Sequence, residues 1–286
     1  MINYQQQSCI YNLSEIMIEP SAIFDLSLGN QPVLISMPHN GQEIPDDIKA
    51  TMTETGLAVP DTDWYLDRLY DFAAQLGASV IAPKYNRYVI DLNRNINGEN
   101  LYPGANSTEL CPTTAFDLSP LYFADMQPDE QEITRRIELY WQPYHQALQS
   151  EIARLKAEHG FVVLLEAHSI LSHVPRFFEG QLPDFNFGSN QGESCSDELV
   201  NAIEAINFAP YSQVTNGRFK GGYITRHFGQ PQRNIEAIQL ELSQATYLDE
   251  SSLGYDTSKA EQVKPKLVAL VDTLLTYANS KAKQVK

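Results

Sequence analysis

Short apolar runs of Val, Ile and Leu without clean polar alternation are the feature that most constrains the fold of this chain. Strands that are covered on both faces have this composition, whereas a half-exposed strand alternates apolar and polar residues. Helical patterns lie between the runs, and this order is typical of a mostly parallel sheet with helices on both sides. The predicted strands are Val33–Met37, Ser79–Ala82, Tyr88–Leu92, Phe161–Glu166 and Ala237–Leu242.

Three segments carry apolar residues at every third or fourth position, and they predict the helices Asp63–Leu76, 128–159 and Ser258–Lys281. Pro143 is expected to break or kink the second of these helices. Residues 95–127 and 172–196 show no periodicity, and long irregular segments in a compact domain are usually functional loops. We therefore expect both segments to border a site.

The composition excludes several classes of partner. The chain has 286 residues, enough for one large α/β domain or two modest ones. Its net charge of −16 would be repelled by a phosphate backbone, so we expect no nucleic-acid partner. It has no long apolar run and no basic segment followed by an apolar one, so we expect no membrane span, no signal peptide and a cytoplasmic location. The three cysteines form no CxxC pair, which argues against a thiolate zinc site.

Two of the six histidines follow predicted core strands. His39 comes directly after the strand Val33–Met37 and one proline, and His168 ends the run VVLLEAH. Ligands of α/β sheets bind just beyond the carboxyl ends of the strands, so both imidazoles are expected at the site. Two imidazoles and a carboxylate form an open zinc site with room for a water molecule. His145 and His159 lie in the long helical pattern and are expected to be packing or surface residues.

Three carboxylates compete for the third ligand position. Asp61 and Asp63 precede a predicted helix, where an aspartate also serves to cap exposed backbone N–H groups. Glu43 follows His39 by four residues. The pattern of residues alone leaves the choice among these three open.

Glu241 lies among aliphatic residues in the predicted strand Ala237–Leu242. An unpaired carboxylate at such a position is costly, so it must face a metal ion, a cation or a water-filled site. A glutamate beside a zinc ion can take a proton from the bound water and deliver it to a leaving amine. The structural alternative is a buried salt bridge with a nearby arginine.

Two groups of cations indicate an anionic substrate. Asn93 and Arg94 end the run YVIDLNR, and an amide beside a planar guanidinium suits bidentate recognition of a carboxylate. Arg87 stands just before the same run. The glycine-rich segment 216–227 gathers further cations in a chain of strongly negative net charge, and an anionic substrate explains this better than a solvated turn does. These further cations are Arg218, Lys220 and Arg226.

Taken together, the motifs resemble the N-formylglutamate amidohydrolase (N-formylglutamate deformylase) family. They occur in the order of the family and span about residues 30–250. The DLNR segment is also similar to the substrate-binding Asn-Arg of the wider zinc carboxypeptidase and aspartoacylase superfamily. The matching pieces are PHNG with the downstream Pro45, DTDW, YNRYVIDLNR, LYPG, EAHSI, PRFFEGQLPDFNFG, NGRFKGGYITRHFG and QLELSQATYLDE.

The resemblance implies a single α/β domain over residues 1–286, with an N-terminal extension at 1–30. Its central sheet would be mixed and mostly parallel, flanked by helices in the phosphorylase/hydrolase-like manner of the zinc carboxypeptidases. The implied metal is Zn²⁺, although the same donors accept Co²⁺, Mn²⁺ or Fe²⁺.

The resemblance also implies roles for individual residues. It makes His39 and His168 zinc ligands and Glu241 the general base. Carboxypeptidase-like relatives use HxxE, but this chain has Gln42 at that glutamate position, so the DTDW motif makes Asp63 the implied third ligand. Family members commonly have DAHS where this chain has EAHS, and the glutamate of that motif is expected to support the neighbouring histidine.

The activity implied is hydrolysis of N-formyl-L-glutamate to formate and L-glutamate, a step of histidine breakdown. Asn93 and Arg94, with Arg87 or the cations of segment 216–227, would hold the two carboxylates of this small anionic substrate. Two alternatives stay open at this point. One is a zinc-dependent deacylase of another N-acyl amino acid, such as N-acetylaspartate, and the other is a catalytically silent protein that binds acidic amino acids.

Overall fold

The computed structural model describes residues 22–98 and 106–285. These residues form a seven-stranded sheet with the strand order β1-β3-β2-β4-β7-β5-β6, and a small two-stranded sheet of β8 and β9. The strands are β1 (Phe24–Ser27), β2 (Val33–Ser36), β3 (Ser79–Pro83), β4 (Val162–Ile170), β5 (Phe185–Gly188), β6 (Gln213–Thr215), β7 (Ile235–Ser243), β8 (Leu248–Asp249) and β9 (Gly254–Tyr255).

The centre of the large sheet is parallel and its flanks are mixed. Strands β3, β2, β4 and β7 all run in the same direction. β1 pairs antiparallel with β3, and β5 pairs antiparallel with β7 and parallel with β6. This arrangement confirms the predicted α/β class with a mixed, mostly parallel sheet. β1 lies within residues 1–30, the expected N-terminal extension, of which residues 1–21 are outside the described part.

Helices cover both faces of the sheet. One face packs on α3, α6 and α8, and the other packs on α5 and the turns that precede it. The helices are α1 (Asp46–Lys49), α2 (Glu54–Ala58), α3 (Leu66–Leu69), α4 (Glu130–Arg136), α5 (Gln142–His159), α6 (Asp197–Glu204), α7 (Tyr223–Phe228) and α8 (Thr257–Val285). None of the described helices is long and apolar enough to cross a membrane.

Tyr88–Leu92 is not a strand, so that prediction was wrong. Its backbone turns, with the Val89 N–H donating to the Asn86 carbonyl and the Asp91 N–H donating to the Leu110 carbonyl. Its apolar side chains are buried beside α5. The run is therefore apolar because it is buried, and a run of five residues does not by itself distinguish an extended backbone from a buried turn.

The helix predicted over Asp63–Leu76 is much shorter, and only Leu66–Leu69 is α-helical. Tyr65 has a left-handed backbone with φ of 56°, so the helix starts after it, and the first N–H is bound by the side chain of Asn40 at 3.1 Å. The apolar side chains of this segment still pack in or against the core. The turns after Leu69 bury the same side chains without a continuous helix.

The helix predicted over 128–159 is continuous from Glu130 to His159, but it is distorted in the middle. A π-helical turn, Ile137–Trp141, joins α4 to α5 and ends two residues before Pro143. A proline has no N–H to bond to the preceding turn, and the widened turn accommodates that loss without ending the helix. The last predicted helix is confirmed as α8.

Candidate metal centre and active site

The polar residues of the site lie at the carboxyl end of the sheet, on one face. On β4, Leu164 packs in the core beside α5, and Glu166 and His168 follow on the same side because side chains alternate along a strand. On β7, Glu241 follows Ala237 in the same way. The apolar core under this face therefore gives way to polar side chains at the end where the sequence predicts a site.

His39, Asp63 and His168 form a buried group whose potential ligand atoms all lie within 4.8 Å of one another. These three residues are called the metal group below. The two imidazole rings are 4.8 Å apart between centroids. Oδ2 of Asp63 is 3.0 Å from Nδ1 of His168 and 3.9 Å from Nδ1 of His39. Tetrahedral zinc with bonds of about 2.0–2.1 Å places its ligand atoms about 3.4 Å apart, so these three atoms suit one ion.

The other nitrogen of each imidazole is held by a buried carboxylate. Nε2 of His39 donates to Oδ1 of Asp91 at 2.7 Å, and Nε2 of His168 donates to Oε1 of Glu166 at 2.6 Å. Carboxylates in these positions fix the ring orientation and leave Nδ1 for a metal. The Asp63 carboxylate is held by the Ser169 N–H at 3.1 Å. The donor set and its supports therefore fit a divalent metal ion.

The charges around the two imidazoles differ. Burial and the nearby Arg87 guanidinium lower the pKa of His39, which favours a neutral ring. Burial also opposes a charged His168, but the Glu166 carboxylate and the hydrogen bonds that the ring donates to Asp63 and Glu166 raise its pKa well above the ordinary value. An ion bound by Nδ1 would take the place of the proton that these carboxylates favour.

His39 and His168 line a pocket at the carboxyl end of the sheet. Glu241 lines this pocket too and is buried. Burial raises the pKa of its carboxyl to about 8. The described residues provide it with no arginine salt bridge, although Arg87 lowers its pKa by its charge. A buried carboxylate beside the metal group, without a salt bridge, is suited to exchanging a proton.

The pocket contains three of the predicted cations. Arg87, Arg94 and Arg218 line it, whereas Lys220 and Arg226 do not lie among the described lining residues. An Arg87 N–H donates to Nδ1 of His39, which places this guanidinium closest to the metal group. The cavity volume is about 90 Å³.

Arg94 and Arg218 are oriented by different loops. Arg94 donates to Oγ1 of Thr108 at 3.2 Å and lies 3.6 Å from Asp91. Nε of Arg218 donates to the carbonyl of Phe177 at 2.6 Å. The pocket therefore has guanidinium groups on more than one wall, as a substrate with two carboxylates requires.

Asn93 lies at the pocket, but its side chain is already engaged. Its Oδ1 accepts from the Ile224 N–H at 2.9 Å, and its Nδ2 lies 3.1 Å from Nε2 of His168. It therefore supports α7 and the His168 ring, in addition to lining the pocket.

Three phenylalanines, Phe116, Phe177 and Phe219, form an aromatic rim around the pocket. They belong to a small apolar cluster separate from the two main cores. Phe116 and Phe177 come from the predicted loops 95–127 and 172–196, and their rings meet at 4.8 Å with a T-shaped geometry. The Arg87 and Arg218 guanidiniums lie over Phe116 and Phe219 at 5.2 and 5.3 Å.

The two other candidates for the third ligand are elsewhere. The Asp61 carboxylate accepts hydrogen bonds from the Tyr88 hydroxyl and the Phe116 N–H, and burial raises its pKa to about 6. Glu43 is exposed and outside the pocket. The group that the structure brings together contains Asp63 alone of the three.

Several residues of the site were not predicted from the sequence. Asp91 is the only charged residue in the apolar run YVIDL, and that position was a signal that it has a buried partner. Gln239 is two residues before Glu241 and therefore on the same face of β7, a relationship that strand periodicity predicts. The three phenylalanines of the aromatic rim show no comparable pattern in the sequence, because they come from three separate loops.

A family model and two curated proteins are similar to this chain over most of its length. The N-formylglutamate amidohydrolase family matches residues 31–248. An N-formylglutamate deformylase of Pseudomonas aeruginosa is 46% identical over 262 residues, which cover 91% of this chain and 98% of that protein. An N-formylglutamate deformylase of Pseudomonas putida is 44% identical over 252 residues, which cover 87% and 94%.

Solved structures share the fold. The crystal structure of an N-formylglutamate amidohydrolase from Ralstonia eutropha JMP134 has a TM-score of 0.79 at 24% identity, and the match covers 91% of this chain and 99% of that one. A crystal structure from Agrobacterium tumefaciens has a TM-score of 0.65 at 15% identity and covers 89% and 95%. The family match and the two Pseudomonas relatives confirm the resemblance found in the motifs: the chain belongs to the N-formylglutamate amidohydrolase family.

Proposed function

We propose that this protein hydrolyses N-formyl-L-glutamate to formate and L-glutamate with the help of a bound metal ion. The observation that carries the proposal is the buried group of His39, Asp63 and His168 beside Glu241, in a pocket that also contains three arginines. The two Pseudomonas relatives, which bear the name N-formylglutamate deformylase, support the substrate. We also retain the cytoplasmic location as a prediction.

His39, Asp63 and His168 would hold the metal, and Zn²⁺ is the ion that we propose. When bound, zinc lowers the pKa of a coordinated water to about 7 and polarises a carbonyl oxygen. Asp91 and Glu166 hold the two imidazoles so that each Nδ1 faces the shared position. The charge of the ion also offsets the mutual repulsion of the buried carboxylates around it.

Glu241 is the general base. It takes the proton of the attacking water and then delivers it to the amide nitrogen as the C–N bond breaks, so that formate and the amine leave. Its buried position keeps bulk water away from the transferred proton. Arg87, the guanidinium closest to the metal group, is placed to stabilise the negative charge that develops on the formyl oxygen.

Arg94 and Arg218 hold the two carboxylates of the substrate. They approach the pocket from different loops, and a guanidinium can bind a carboxylate through two parallel hydrogen bonds. The aromatic rim covers the methylene groups of the glutamate side chain. Lys220 and Arg226, which do not line the pocket, have no direct contact with the substrate in this assignment.

The proposal is tested by measuring turnover of N-formylglutamate, N-acetylaspartate and N-formylmethionine together with the metal content of the purified protein. We expect formate release from N-formylglutamate at a kcat/KM well above that of the other two, and loss of turnover after chelation. Preferential turnover of N-acetylaspartate would replace the proposed substrate. A protein that binds glutamate, holds no metal and hydrolyses none of the three would overturn the proposal.

A further inference from the structure

The hydrogen bonds of Gln239 to Gly222 and Glu241 determine the orientation of the Gln239 side-chain amide. The two residues are on the same face of β7 and both are buried. Oε1 of Gln239 accepts from the Gly222 N–H at 2.6 Å, and Nε2 of Gln239 donates to Oε2 of Glu241 at 3.3 Å. A backbone N–H can only donate, so the amide oxygen must face Gly222 and the NH₂ group must face Glu241.

Gly222 can reach Gln239 only because it has no side chain. A Cβ at this position would lie 2.2 Å from the Asn93 side chain. Glycine therefore allows the backbone at the start of α7 to approach the site closely.

The same start of α7 is bound by two further site residues. Asn93 accepts from the Ile224 N–H, and Oε2 of Glu166 accepts from the Thr225 N–H at 2.9 Å. Both of these side chains also contact Nε2 of His168. Asn93 and Glu166 thus connect α7 to a metal ligand, whereas Gln239 connects it to the general base.

Gln239 supplies the one hydrogen bond that the Glu241 carboxylate receives from the described residues. The bond engages Oε2 and leaves Oε1 without a protein donor there, so Oε1 can face the reacting water. A carboxylate in an apolar strand without this bond would be free to rotate about its last side-chain bonds.

We propose that Gln239 is the positioning residue for the general base, held by the Gly222 N–H so that it directs one oxygen of Glu241 at the water. The inference rests on the proposed function. Among the described residues, the Gln239 side chain has hydrogen bonds to Gly222 and Glu241 and none to His39, Asp63 or His168. Its loss therefore lowers the rate of the chemical step and leaves substrate and metal binding nearly unchanged.

The test compares Gln239→Leu with the wild type for kcat, KM and zinc content, with N-formylglutamate as substrate. A hydrogen bond to a charged group is strong enough to change a rate by about 10- to 100-fold, so we expect kcat to fall by about this factor. We expect KM to stay within about threefold and the zinc content to match the wild type. Gln239→Met, an unbranched side chain of nearly the same length without an NH₂ donor, should show the same loss even if the leucine variant folds poorly.

Tyr277→Phe is the matched control, because it removes buried hydrogen bonds to Glu236 and Ser196 away from the site. It should keep the wild-type kcat. A kcat within about threefold of the wild type in both Gln239 variants, or a loss of zinc in parallel with kcat, would overturn the inference. An active wild type with unaffected variants overturns only this inference, whereas a wild type that hydrolyses no N-acyl amino acid overturns the proposed function with it.

Discussion

His168 on β4 and Glu241 on β7 are direct neighbours across two parallel strands. Their side chains therefore leave the sheet on the same face, and the His168 imidazole lies beside the buried Glu241 carboxylate. Neighbouring parallel strands keep this relationship over their whole length, which makes it insensitive to motion of the loops. The distance between His168 and Glu241 is in this way a property of the sheet.

Glu241→Gln should abolish most of the activity while the metal stays bound. The amide has nearly the same shape but cannot accept a proton, and general-base catalysis contributes about 10²- to 10⁴-fold to a rate. We expect kcat to fall within this range and the zinc content to remain that of the wild type. Formate release and metal analysis on the same sample measure both. Retention of wild-type kcat would exclude Glu241 as the base.

Metal removal should lower the thermal stability as well as the activity. The three proposed ligands are far apart in the sequence, so the unfolded chain has no assembled site, and an ion that binds only the folded state stabilises it. Free zinc at about 100 times its Kd should add about 2.7 kcal/mol to the free energy of unfolding. Thermal melting with and without zinc measures the effect. In His39→Ala the zinc-dependent increase should disappear, and its persistence would contradict the assignment of this ligand.

Glu166→Gln should weaken metal binding without unfolding the protein. The glutamine still accepts a hydrogen bond but lacks the charge that supports His168, and loss of such a support costs about 10- to 100-fold in metal affinity. Competition with a chromophoric chelator measures this affinity. Glu151→Gln is the matched control, since Glu151 is another buried glutamate, bound to Ser79 and Arg154 away from the site. Equal affinities in the two variants would contradict the role of Glu166.

Arg218→Met should raise KM for N-formylglutamate more than it lowers kcat. The variant removes a charged hydrogen-bond donor from the pocket wall, a loss that corresponds to about 10- to 100-fold in binding. The effect should be much smaller for N-formylmethionine, whose side chain carries no charge. Arg176→Met removes an arginine that contacts Phe177 from outside the pocket and serves as the control. A similar change in KM for both substrates would show that Arg218 does not recognise the side-chain carboxylate.

Protonation of the buried His145 should lower the stability of the folded protein in acid. Its ring is stacked on Trp141 at 3.6 Å between centroids, and burial lowers its pKa to about 4. Below about pH 6.5 His145 is protonated in the unfolded chain but stays neutral in the folded protein until the pH approaches 4. The stability due to this residue is therefore lost as the pH falls from about 6.5 to about 4, by up to about 3 kcal/mol.

His145→Phe should reduce this acid sensitivity, because phenylalanine can pack in the same aromatic cluster without titrating. Urea unfolding of the metal-free protein between pH 7 and pH 4.5 gives the free energy of unfolding of each variant. His173→Gln is the control, because His173 is exposed, and this variant should keep the acid sensitivity of the wild type. If His145→Phe and the wild type lose stability equally, the pKa of His145 is not lowered by burial.

The position of the metal group could be predicted from the sequence because it depends on strand periodicity. His39 and His168 follow apolar runs that had to be core strands, and the carboxyl ends of parallel strands meet at one edge. Asp63 depended on the family resemblance, since an aspartate before a helix is equally suited to capping. The structure brings all three together.

The environment of the site could not be predicted in the same way. Tyr88–Leu92 looks like a strand because it is buried, but its backbone turns and so brings Asp91 to His39. The bond between Gln239 and Gly222 joins two segments of which neither alone suggests the contact. Apolar patterns report burial, whereas the direction of a turn depends on hydrogen bonds to residues far away in the sequence.

The aromatic rim has a consequence for engineering. The proposed metal ligands and the base are held by the sheet and the segments packed on it, whereas Phe116, Phe177 and Phe219 come from loops in their own small cluster. Loops tolerate substitution better than core strands do. A library of variants at these three positions could therefore yield enzymes that remove bulkier acyl groups or act on other amino acids. The proposed metal ligands and the base would be unchanged in all of them.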